Sequence, residues 1–430
     1  MELQKQNTRA VVVVTESFKT LAKTKARSLG MPDIPMLVIP GQIGGISPEE
    51  VNIKVDVGID ALISALINPG ISEKVEDLSN IVYPAEIIKV EVIDNDYFSP
   101  LYRRNWTDGL PVVPPTGQRV AAMLKGTGHR PEQVVAHLPL KGGVATVERI
   151  AINAVMAGCT PEYFPIVLAA VEAVSDPQNN MEGWAATTGS NSPMLIINGP
   201  VRNEMNINYG TNALGSGKRA NAVIGRAVNL VIKNIGGVNP GSTDMTTIGA
   251  PWEYTMCLGE NEDALPEKWE ALNAERGFPD ANTVTVKCIN SQIDIFSHNA
   301  LDLKQVLDTI AAGIVGINSL AVLQSQGVVI AFCPEVASLV HKDKWSKQAV
   351  KQYIFEKARQ PLKNWQYLGD NWVARDLIPE SKLESKESLI RMIPQPEDIL
   401  IIVAGGAGKH SHWWAGGHGR AVTKSIDKWK

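Results

Sequence analysis

Val328-Val329-Ile330-Ala331-Phe332-Cys333-Pro334-Glu335 reads as a strand handing over to a helix. Five consecutive apolar residues, three of them β-branched, are the pattern of a strand covered on both faces. Proline suits the first helical position and an acid suits the first turn, which leaves Cys333 at the cap. The same grammar recurs along the chain. The run at 10–14 is followed by a Thr15-capped helix, and the run at 35–39 precedes Ser47-Pro48-Glu49-Glu50, a capping box whose helix stops at Pro69-Gly70. Further strands are expected at Met194-Leu195-Ile196-Ile197-Asn198, at 283–289 and at 399–404. Strands alternating with helices predict an α/β fold with mostly parallel sheet and flanking helices. Residues 1–93 form an N-terminal βαβα half-domain with its connector, and residues 94–430 a larger α/β domain. Two strands alone leave backbone unpaired, so the half-domain must dock onto later strands of this chain or onto another polypeptide.

Composition narrows the function classes. An apolar content of 44% with 20% charged residues describes a globular chain long enough for more than one core. A net charge of −4 offers no bulk attraction for nucleic acid or anionic lipid. No run approaches the roughly 18 apolar residues of a membrane span, and Met1-Glu2-Leu3-Gln4-Lys5-Gln6 has no signal-peptide core. Four scattered cysteines without a CxxC pair fit a reducing compartment, so the expected location is cytoplasmic.

Ala154-Val155-Met156-Ala157-Gly158-Cys159-Thr160-Pro161-Glu162 places a second cysteine between two helices. Gly158 supplies a left-handed closing position, and Thr160-Pro161 opens the next helix. Cys159 then sits beside free N–H groups and a positive dipole end, a setting that favours thiolate. It equally suits a small apolar filler. Cys333 shares that geometry and lies at the carboxyl end of a strand, where open α/β sheets bind ligands. Gly215-Ser216-Gly217-Lys218-Arg219 and Gly406-Ala407-Gly408-Lys409-His410 share a GxGK pattern that lets backbone N–H groups and a cation meet an anion. Neither satisfies a Walker A loop. His410, His412 and His418 flank Trp413-Trp414. Their spacing matches no familiar metal site, so acid–base work in a tryptophan-walled pocket is preferred, with a metal ion as the alternative. The carboxylates Glu162 and Glu335 stand in first helical turns, where the dipole alone accounts for them.

Residues 11–70 carry Val11-Val12-Val13-Val14-Thr15-Glu16-Ser17-Phe18, Ser28-Leu29-Gly30-Met31-Pro32-Asp33-Ile34-Pro35 and Val38-Ile39-Pro40. They resemble the second half of the UGSC-motif (seleno)protein domain, a family named for a selenocysteine- or cysteine-Gly-Ser-Cys motif upstream of that half. No Cys-Gly-Ser-Cys occurs here. Residues 106–115, 153–165, 198–200, 221–226 and 404–406 resemble larger bacterial proteins associated with that domain. The resemblance implies thiol or selenol chemistry on a carbon–heteroatom bond, and a second subunit carrying the missing half.

The resulting expectation is a thiol-dependent oligomeric enzyme, oxidoreductase or lyase, acting on a small anionic substrate. Cys159 or Cys333 is the reactive thiol, and His410 or His412 moves protons. Asn198, Gly215, Gly217, Lys218, Arg219, Gly406, Gly408, Lys409 and Trp413 bind substrate. Two other readings stay open: a noncatalytic scaffold completing a partner's active site, and a metal-dependent hydrolase or hydratase built on His410, His412 and His418.

Overall fold

The computed structural model describes residues 8–41, 47–67, 85, 87–91, 96–316, 327–361, 363 and 389–430. The expected helix stop at Pro69-Gly70 and the boundary at 93/94 lie outside these residues.

The N-terminal unit keeps the expected strand–helix–strand–helix order, but Thr15 does not cap its helix: a 3₁₀ turn, Glu16–Phe18, follows it with no side-chain cap bond, and the helix proper starts at Lys19. Strands β1 (Val12–Thr15) and β2 (Met36–Ile39) pair in parallel, Val12 opposite Met36 and Thr15 opposite Ile39. Helix α1 (Lys19–Ser28) connects them and buries Ala22 and Ala26. Helix α2 (Pro48–Ile67) opens with the expected capping box: the Ser47 N–H donates to the Glu50 carboxylate at 2.9 Å and the Glu50 N–H to the Ser47 hydroxyl at 3.2 Å. The two strands form a sheet of their own, and among the described residues no later strand joins it. Of the two ways of completing the half-sheet, pairing within the chain is therefore not the one used by these residues. Helix α2 buries none of its side chains, and Val57 is 78% exposed. Contact with the larger part runs through α1, where Lys25 pairs with Glu182 at 2.9 Å and Leu21 packs at the edge of the main core.

After a short helical turn at Phe98–Arg103, the larger part continues with helix α3 (Gly117–Leu124) and an antiparallel hairpin, β3 (Val134–Leu138) and β4 (Gly143–Thr146). Three helices then form one layer: α4 (Val147–Ala157), α5 (Phe164–Ser175) and α6 (Arg219–Asn234). Between and after them run β5 (Ser192–Asn198), β6 (Cys257–Gly259) and β7 (Thr283–Phe296). The second layer comprises α7 (Leu303–Ile314), α8 (Pro334–Asp343) and α9 (Lys347–Lys357), with β8 (Val328–Phe332) threaded before α8. A small antiparallel pair, β9 (Arg359–Pro361) and β10 (Leu389–Arg391), stands apart. The chain ends with β11 (Ile399–Val403), β12 (His410–Gly416) and β13 (Val422–Ser425).

The spine is β7. Its first half pairs with β5 on one edge, Asn198 opposite Thr283, and with β13 on the other. Its second half pairs with β12, Phe296 opposite His410. The sheet order is β11-β8-β12-β7-β5-β6. The α/β fold with flanking helices stands, but the sheet is mixed rather than mostly parallel. Only β11/β8 and β5/β6 run parallel, while β8/β12, β12/β7, β7/β5 and β7/β13 are antiparallel. The cause is β12, which turns back after the glycine stretch and inserts between β8 and β7.

Alternation along the strands sorts side chains into three cores. Leu195, Val284 and Val286 face α4, α5 and α6. Ile330, Phe332, Ile401 and Trp413 face α7, α8 and α9. Met194, Ile289, Val329, Ile402 and Trp414 share the opposite, inner face. The Asn261 N–H donates to the Val403 carbonyl at 2.7 Å, so the sheet curls until the chain leaving β6 meets the end of β11.

A strand buried on both faces tolerates no truncation. Ile330→Ala should cost about 2–5 kcal/mol, whereas Ile53→Ala on α2, 62% exposed, should stay within about 0.5 kcal/mol. Urea midpoints of the two variants check the contrast.

Candidate functional site

The carboxyl ends of β8 and β11 bring together five residues singled out from sequence: Cys333, Gly408, Lys409, His410 and His412. Strand β8 delivers Cys333 to the N-cap of α8. One residue past the last β12/β8 rung, Ser411 opposite Phe332, the chain carries His410 on one strand and Cys333 on the other.

Cys333 is 4% exposed. Burial pushes its thiol up and the Glu335 carboxylate adds to that, while the neighbouring backbone of Val336, Glu335 and Lys409 opposes it. The resting group is therefore a thiol.

The glycine turn before β12 does hold an anion, and that anion is the protein's own. The Glu335 carboxylate accepts the N–H groups of Gly408 and Lys409, each at 2.7 Å. Those bonds hold its pKa below the ordinary value. The side chain of Lys409 donates to the Ala300 carbonyl at 3.0 Å. Glu335 thus does more than answer a helix dipole, and the cradle expected to take substrate is already filled.

His410 stands against Asp294. The carboxylate lies 2.9 and 3.0 Å from Nδ1. A carboxylate can only accept, so Nδ1 carries the proton and Nε2 is left as the base. Both side chains are about half exposed, so the pair adds at most about 1 kcal/mol to stability; its value lies in fixing the ring. His298 and Phe296 pack around the same imidazole, with centroids 4.9 and 5.7 Å away. His412 shares Asp294 at 3.9 Å and stacks on Trp414. Burial lowers its pKa, Asp294 raises it, and His410 lowers it.

The other expected residues lie elsewhere. Cys159 has the anticipated backbone, with Gly158 left-handed at φ +90° and a 3₁₀ turn, Pro161–Tyr163, leading into α5. The thiolate expectation nevertheless fails. A helix N-terminus is worth about 0.3–1 kcal/mol, under one pKa unit, while full burial moves a group by up to about 3–5 units. Burial wins here: the thiol is pushed well up despite Arg219, and its S–H donates to the Val223 carbonyl at 3.4 Å. Arg219 caps the end of α4 through the Gly158 carbonyl at 2.7 and 3.2 Å, and Lys218 donates to Asn206 at 3.0 Å. Gly215 and Gly217 are exposed beside them. The glycine turn after β11 meets the 209–211 stretch instead, because the Gly405 N–H donates to the Tyr209 carbonyl and a Cβ on Gly406 would fall 2.3 Å from the Thr211 hydroxyl. Asn198 is fully buried, donating to Glu260 at 2.6 Å and to Glu262 at 3.0 Å.

Trp413 belongs to the α7–α9 core rather than to a pocket wall, because alternation in β12 points it away from His410, His412 and Trp414. His418 is likewise separated from the other two histidines. It lies past the far end of β12, eight residues and more than about 20 Å of strand from His410, and feels Lys287 instead. The three histidines cannot form one ligand set, and among the described residues no group of three or more His, Cys, Asp and Glu side chains is arranged to hold a metal ion. Among the described residues no helix is long and apolar enough to cross a membrane. Asp294 and His298 were missed from sequence; the signal was the alternation continuing past Ile289 through Gln292, Asp294 and Phe296.

Residues 1–68 match the family model described as the UGSC family, which covers the N-terminal unit. No curated protein and no solved structure matches the chain.

In an NMR titration, His412 should change charge at lower pH than an exposed histidine. Asp294→Asn should lower it again, because the carboxylate that favours the imidazolium is gone. A rise in that variant would contradict the geometry.

Proposed function

We propose that the chain is a thiol-dependent enzyme acting on a small substrate at the carboxyl end of β8. Cys333 is the nucleophile, His410 the base that takes its proton, and Asp294 the group that orients His410. The supporting observation is a placement: Cys333 stands at the N-cap of α8, one residue past the β8/β12 rungs, with an Asp-oriented imidazole on the neighbouring strand. Cleavage of a carbon–heteroatom bond, reductive or eliminative, is the reaction class implied by the resemblance of residues 11–70 to the UGSC-motif domain. Cys159 takes no part in this reading, since burial pushes its thiol well up and its S–H is held by the Val223 carbonyl. General-base assistance contributes about 10²–10⁴-fold. His410→Ala should therefore slow alkylation of Cys333 by iodoacetamide at pH 7 by at least roughly 10²-fold, while Cys159→Ser leaves it unchanged. Equal rates in His410→Ala and the unmodified chain would remove His410 from the chemistry.

A second reading is favoured by the N-terminal unit. Strands β1 and β2 form a two-stranded sheet, and Ile53, Val57 and Ile67 on α2 stand open to solvent. A helix apolar on several faces is normally covered. In this reading the chain is a subunit whose half-sheet is completed by a partner bearing a Cys-Gly-Ser-Cys half-domain, and turnover needs both. Val57→Asp should then abolish co-purification with that partner and leave the fold intact. Full turnover by the isolated monomer would exclude it.

A further inference from the structure

A second chemically equipped pocket lies at the other half of β7, away from Cys333 and His410. It is built on Lys287, 1% exposed in the buried first half of the strand, between Val286 and Cys288. Arg276, Arg420 and Gln178 line a cavity of about 200 Å³ with it, and Gln395, Glu397, Asp398 and Leu400 complete the lining. The Lys287 amine donates to the Gly419 carbonyl at 2.6 Å and reaches the Gly417 carbonyl at 3.5 Å. Among the described residues it makes no ion pair. Arg276 is steered by the Ala421 carbonyl, which accepts from its Nη2 at 2.7 Å. The turn bearing Arg420 is pinned by its N–H to the Gln178 carbonyl at 2.7 Å.

A lysine that merely tied the 417–419 turn to the sheet would need no cavity before it and no guanidinium groups at the rim. Two arginines beside a small polar cavity match a carboxylate. A buried amine matches an electrophilic carbon. We infer that this pocket takes a small carbonyl-bearing carboxylate of the 2-oxo acid class, and that Lys287 joins it as an imine while Arg276 and Arg420 hold its carboxylate. The Nζ lone pair adds to the carbonyl carbon. The carbonyl oxygen then collects the two amine protons and leaves as water, so a C=N bond replaces C=O with no change of oxidation state. Asp398, whose charge acts on Lys287, is the lining carboxylate assigned to carry those protons. Burial supports the nucleophile, bringing the Lys287 pKa down to about 8, which leaves roughly 10²-fold more free amine at neutral pH than an exposed lysine has.

Borohydride trapping tests this in the full-length protein. Glyoxylate or pyruvate with sodium borohydride should leave a carboxymethyl or carboxyethyl group on Lys287, located by peptide mass spectrometry. Its yield should be at least roughly tenfold above that at the exposed Lys268 and Lys342, given the difference in free amine. Uncharged propanal should lose that preference. Arg420→Gln, an exposed position that leaves the fold intact, should cut the Lys287 yield several-fold, and Lys287→Met should remove it. Adducts spread evenly over the lysines, or a Lys287 yield indifferent to Arg420→Gln, would overturn the assignment.

Discussion

The carboxylate of Glu335 accepting two backbone N–H groups at 2.7 Å is the contact on which the site depends. It ties the first turn of α8 to the glycine turn between β11 and β12. Bonds of this length to a charged acceptor are the strong kind, and the α8 dipole favours the same charge. With that turn pinned, β12 runs back antiparallel between β8 and β7, and His410 comes level with Cys333. The carboxylate's pKa is held down in the folded state. Its contribution is therefore complete above the ordinary glutamate range and is lost as pH falls through the lowered value.

A sheet covered on both faces has a functional consequence. Five consecutive buried residues in β8 and five in β11 leave no room for polar chemistry along their length. Reactive groups collect where the strands emerge. The last third of β7 leaves the core at Gln292 and exposes Asp294 and Phe296, supplying the carboxylate that orients His410. Lys287 is the exception within the spine, and a polar cavity accompanies it.

Much of this was legible locally. The apolar run at 328–332, the proline after Cys333, the Ser47 capping box and the left-handed Gly158 are short-range signals, and each formed as read. The unpaired half-sheet was also legible, because two apolar strands with no third nearby in sequence announce an open edge. What stayed hidden was set by contacts distant in sequence. His410-Ser411-His412 resembles a polar tail until β7 and β8 close on it from residues over 70 positions away. Cys159 looked activated because its own turn is right for it; α6, some 60 residues on, seals it. Glu335 looked like a dipole partner because its true partners, Gly408 and Lys409, follow 73 and 74 residues later.

The most direct measurement is a residue-resolved reactivity profile of the four cysteines in the native chain, taken with a small thiol reagent from pH 6 to 10. Burial places Cys257 and Cys288 near 12 and Cys159 well above its ordinary range, whereas Cys333 stands at the N-cap of α8, where neighbouring backbone groups oppose the effect of burial. Cys333 should be modified first, by roughly tenfold or more, with the other three protected until the chain unfolds. Modification of Cys159 ahead of Cys333 would contradict the placement of the site at the end of β8.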